Sequence, residues 1–130
     1  MKHLPRLILL VSSLGLIPIA LSYGVSPRTT TPMLFGFSAD AVDAAHILRA
    51  VMGLYLAMAA LWLAGWWTPR LRPAALVSLA TFMLGLAGGR LLSFVLDGRP
   101  APLLISYFML EVSIGVLALW AYRQVAGPVR

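Results

Sequence analysis

With 130 residues, 61% of them hydrophobic and 11% charged, the chain lies far outside the balance of a soluble globular domain and divides into about four membrane spans of roughly 20 residues with short connections. The absence of cysteine excludes disulfides, thiol catalysis, iron–sulfur clusters and thiolate metal sites. A net charge of +6 would suit nucleic acid, but the ten basic residues are scattered at the ends of apolar stretches, which excludes that partner and leaves the lipid bilayer.

The first apolar stretch, 7–25, follows the basic start MKHLPR. Ala20-Leu21-Ser22 resembles a signal cleavage site, but the stretch exceeds the usual signal core of roughly 7 to 15 residues, which favours a retained first helix. Pro18 is expected to kink it near its outer end. The connection SPRTTTPMLFGFSADAVDAAH reads as a loop, with Phe35 and Phe37 able to dip into the interface and Ser38 with Asp40 marking a helix start. The second span, 42–67, closes on Trp62, Trp66 and Trp67, which belong at a membrane interface. A basic, proline-bounded turn leads to the third span, 74–96, and an Asp-Gly turn at 97–98 to the fourth, 101–122. The fold expected is an all-α membrane protein, a four-transmembrane-helix bundle.

Basic residues outside the spans set the orientation. Lys2, Arg6, Arg70, Arg72, Arg123 and Arg130 fall on one side against Arg28 and Arg99 on the other, six to two. The positive-inside rule then puts both termini in the cytoplasm, N-in/C-in.

Polar residues inside the spans are the candidate site. At 100° per residue, Arg90, Ser93 and Asp97 share one face of the third span, and His46, Arg49 and Gly53 one face of the second. Arg90 lies about 10 Å from the outer end, and Glu111, on a stripe with Tyr107, about 15 Å in the fourth. A charge in hydrocarbon needs a partner. Glu111 is expected to pair bidentately with Arg90, and with Arg49 as well, while Asp97 draws Arg90 toward the surface. Gly53, Ala57, Ala60, Gly85, Gly88 and Gly89 are expected to let the helices approach closely. His46 reads as an interfacial polar group, since the only other histidine, His3, falls on the opposite side; no metal or cofactor is expected.

The segments HILRAVMGLYLAMAALWLAG, GRLLSFVLDGRP and LLISYFMLE resemble a group of small bacterial four-helix inner-membrane proteins catalogued only as a domain of unknown function. The resemblance implies Arg49, Gly53, Tyr55, Gly89, Arg90, Ser93, Asp97, Gly98 and Glu111 as signature positions and carries no activity with it. A looser likeness to four-helix proteins of the DoxX type implies a redox-linked accessory role.

For the Arg90 and Glu111 cluster, a structural clamp and a site for an anion, lipid headgroup or proton are both open readings. Two arginines on one glutamate leave an excess positive charge, which favours a ligand bearing carboxylate or phosphate. The expected function is that of a non-enzymatic accessory subunit or lipid- or anion-binding element, self-associating or joined to another membrane protein. The alternative is an oligomeric carrier or proton-linked transporter using Glu111. A membrane enzyme acting on an isoprenoid or quinone ranks third.

Overall fold

The computed structural model describes residues 3–127. Lys2 and Arg130, counted in the charge bias, lie outside the described residues, among which are five α-helices and no strand. They are α1 (Leu4–Gly24), α2 (Pro27–Phe35), α3 (Val42–Trp67), α4 (Arg72–Leu96) and α5 (Pro102–Val125), with a 3-10 turn at Pro69–Leu71. Proline occupies the first turn of α1, α2, α4 and α5, where a missing N–H costs no intrahelical bond. α1 runs unbroken through Pro18.

α1, α3, α4 and α5 are each long and apolar enough to cross a membrane. Only 17% to 33% of their apolar windows is buried inside the bundle, and residues such as Val11, Ile47, Leu92 and Val95 face outward. Helices apolar on all sides with backbone bonds satisfied internally are the make-up of a multi-pass membrane protein.

The bundle is two close pairs. α1 lies along α3 and α4 along α5, whereas α3 meets α4, and α1 meets α5, more sparingly. Small residues line the tight contacts: Ala20, Ala59, Ala75, Ala80, Ala118 and Ala121 are buried around Leu9, Leu76 and Leu79. The glycines differ from expectation. Gly53, Gly85, Gly88 and Gly89 have nothing within 4 Å of where a Cβ would stand, so they do not draw helices together. The close approaches are at Gly24, Gly65 and Gly115; at Gly115 a Cβ would meet Leu84 Cδ2 at 2.7 Å.

Trp62 is also a correction. It is fully buried, and its indole N–H donates to Ser78 Oγ at 3.1 Å, tying α3 to α4 in the core rather than anchoring an interface. It ends a chain of ring contacts: Phe37 on Phe35, Phe35 stacked on Tyr23 at 5.2 Å, Tyr23 edge-on to Tyr55, then Phe82 and Trp62. Each such pair adds roughly 0.5–1.5 kcal/mol beyond area burial.

The long connection is not merely a loop, because α2 forms within it. Pro27 follows Ser26 at its start, the buried Thr31 hydroxyl donates to Pro27 O, and Gly36, at φ 76°, ends it in the left-handed region. Ser38 donates to Asp40 and neither caps α3, whose N-cap is Ala41. At the opposite end Arg72 Nε donates to Gly65 O at 3.3 Å and satisfies an end carbonyl of α3, and the Arg6 guanidinium lies 5.8 Å from the Trp66 ring centroid.

Gly115→Val should therefore lower stability by about 1–3 kcal/mol through overpacking against Leu84, while Gly88→Ala should be neutral, as read by thermal unfolding in detergent.

Candidate functional site

Arg90 and Glu111 meet across the α4–α5 contact. Arg90 projects from the penultimate turns of α4 and Glu111 from the third turn of α5, so antiparallel packing brings them level. The Nε–H of Arg90 donates to both carboxylate oxygens, at 3.0 and 2.8 Å. The contact is a three-centre bond to one nitrogen rather than the expected two-pronged fork. Neither η nitrogen of Arg90 bonds to Glu111. The Glu111 side chain is 8% exposed and that of Arg90 20%, so the carboxylate is the enclosed partner and the guanidinium the one reaching outward.

Two tyrosines complete the surroundings. The guanidinium carbon of Arg90 lies 5.7 Å from the centroid of the Tyr107 ring, a cation–π arrangement that costs no hydrogen-bonding capacity. The Tyr23 phenol lies beside the guanidinium as well. Sequence reasoning passed over Tyr23; its place at the end of α1, level with Arg90 in an antiparallel bundle, was the available signal.

The remaining candidates separate. Ser93 donates to Asp97 at 2.6 Å, so Asp97 is engaged on its own helix and does not draw Arg90 outward. Arg49 does not reach Glu111; its Nε donates to Gly24 O at 3.3 Å, at the end of α1. His46 and Arg49 line a different pocket, together with Arg28, which sequence reasoning counted only as a loop charge.

The ion pair stands between the two loose seams of the bundle. On the α3–α4 side, Arg90, Ser93, Gly85 and Gly89 line a groove of 530 Å³, and a groove of 610 Å³ shares Leu54, Thr81 and Phe82 with it and continues to Pro73 and Tyr122. Pro73, Val77, Thr81, Gly85, Gly89 and Ser93, at every fourth position of α4, line the two grooves in succession. Twenty residues at 1.5 Å make about 30 Å, the thickness of the hydrocarbon core. The glycines keep the upper part open, since nothing stands where their side chains would be. On the α1–α5 side, Glu111, Tyr107, Ser12 and Gly15 line a cavity of 250 Å³.

Removing one partner of a buried pair strands the other. Arg90→Ala should cost about 3–5 kcal/mol, and the double change with Glu111→Ala should recover much of it; strictly additive losses in a double-mutant cycle would show that the two side chains are not coupled.

No curated protein and no solved structure matches the chain. A family model does match, over residues 4–122, and that covers α1 to α4, all but the last three residues of α5, and the ion pair. The chain belongs to the family described as a domain of unknown function, DUF4345.

Proposed function

We propose that this protein is a non-enzymatic, multi-pass protein of the bacterial inner membrane that binds an anionic amphiphile in the α3–α4 groove, with Arg90 and Ser93 at the headgroup and the apolar faces of α3 and α4 along the tail. The observation that carries this reading is the division of labour at Arg90. Its Nε neutralises Glu111, while its η nitrogens, which make no bond to Glu111, stand beside two successive grooves that together run about as long as the bilayer core is thick. A guanidinium is well suited to carboxylate or phosphate because its donors are fixed in a plane.

The basic residues at the other end of the bundle, Arg6, Arg70, Arg72 and Arg123 among those described, support a cytoplasmic placement of both termini. The headgroup end would then face outward. Bacterial origin rests on the family resemblance alone, and the likeness to DoxX-type proteins contributes nothing to this reading. An accessory role, in which the bound amphiphile or the outward apolar faces are offered to a second membrane protein, is supported by the large apolar side chains that α1, α3, α4 and α5 turn outward.

A second reading has an observation of its own. Glu111 lines the α1–α5 cavity while its partner lines the α3–α4 groove, so one ion pair separates two membrane-facing openings, as a proton-linked carrier would use it.

The groove can be filled without touching the ion pair. Gly89→Leu should fold and melt like the wild type, since the added side chain enters open space, yet hold about one anionic lipid per chain fewer than the wild-type protein when both are analysed by native mass spectrometry in lipid discs. Undiminished retention in Gly89→Leu would contradict the groove reading. A wild type carrying no lipid, together with Glu111→Gln that folds but abolishes proton flux, would favour the carrier.

A further inference from the structure

A second concentration of positive charge stands apart from Arg90. Arg28 on α2 and His46 and Arg49 on α3 line one pocket of 310 Å³ at the same end of the bundle. No carboxylate lines it, although Asp43 lies only one turn from His46, and among the described residues neither arginine is in an ion pair. Two exposed guanidinium groups lining one pocket with no acid among the lining residues give it a positive potential that attracts an anion.

The backbone adds to the same field. The pocket takes in Ser26, Pro27 and Arg28, which open α2, and Val42 and Ala45 in the first turn of α3. It therefore faces the positive ends of two helices, where N–H groups lack intrahelical partners. In the first turn of α2, Thr29 and Thr30 donate back to Ser26 O at 3.0 and 2.9 Å, and Pro27 has no N–H to offer. The Arg28 amide remains.

Arg49 is held in place for such a role. Its Nε bond to Gly24 O anchors the side chain at its base and leaves the η nitrogens to project. Gly24 permits this bond, because a Cβ there would stand 2.5 Å from Met52 Cβ and push α1 away from α3. The pocket is also distinct from the amphiphile groove. Leu54 and Tyr55, which line the groove, lie about 140° and 240° around α3 from Arg49.

We propose that this pocket binds a phosphate group at the membrane interface. Phosphate suits it better than carboxylate, because two guanidinium forks, an imidazole and a helix-start amide approach from several directions, and a tetrahedral anion offers oxygens to all of them. The phosphate belongs either to a phospholipid headgroup or to a soluble phosphate, and both present the same oxygens.

The two sources are separable in the Gly89→Leu background, where the groove is closed. Protein in phosphatidylcholine discs is titrated with inorganic phosphate against chloride at matched ionic strength, and protein in discs containing phosphatidic acid is analysed by native mass spectrometry. Saturable inorganic phosphate binding assigns a soluble ligand; selective retention of phosphatidic acid alone assigns a headgroup. In either case Arg28→Gln should weaken binding about tenfold, as loss of one charge-assisted contact does. Arg28 is exposed and its side chain makes no hydrogen bond among the described residues, so this variant keeps its structure where Arg49→Gln would loosen the end of α1. No preference for phosphate or phosphatidic acid in the parent protein, or undiminished binding by Arg28→Gln, would overturn the proposal and leave the groove reading untouched.

Discussion

The constraint on which this architecture depends is one carboxylate enclosed by apolar helices. Glu111 is 6% exposed, in a helix whose other faces are made for lipid. An ionised carboxylate in such surroundings is too costly to stand without a cation and hydrogen bonds of its own. Arg90 supplies both through a single nitrogen, and the rest of the bundle can be understood as what brings that nitrogen there. Tight packing of α5 on α4, with Gly115 admitting Leu84, sets the two helices close enough for the side chains to meet.

Packing the helices as two close pairs has a second consequence. The seams between pairs stay loose, and the ion pair lies where both seams can reach it, Arg90 from one side and Glu111 from the other. In a water-soluble protein such seams would be flaws in the core. In a bilayer they are openings toward lipid, with polar groups set inside them. The aromatic chain from Phe37 to Trp62 ties α1, α2, α3 and α4 together across the α3–α4 seam, which keeps the groove open without letting the pairs separate.

Much of this was legible in the residues. Four apolar stretches of membrane length can hardly be read otherwise, and the meeting of Arg90 with Glu111 follows from helical periodicity and the scarcity of buried acids. What escaped had physical reasons. α2 was hidden by its threonine run and by Pro32, both poor for helix interiors, although Ser26-Pro27 and Gly36 are the usual start and stop signals. The glycines of α4 carry the spacing of a close helix contact, but spacing cannot say whether a neighbour is present; they border empty space instead. Arg49 went astray because its partner is a carbonyl at the end of α1, a contact fixed only once the chain is folded. Trp62 looked interfacial from its company of Trp66 and Trp67, yet a partner four turns of sequence away, Ser78, lets its indole be buried.

The most direct test of the account is the ionisation of Glu111 itself. It is the only glutamate in the sequence, so isotope labelling of glutamate carboxyls allows infrared spectroscopy to observe this one side chain in the membrane. The account predicts the symmetric and antisymmetric bands of an ionised carboxylate in the wild-type protein and the carbonyl band of a protonated acid in Arg90→Ala. A protonated Glu111 in the wild type, or one still ionised after Arg90 is removed, would contradict it.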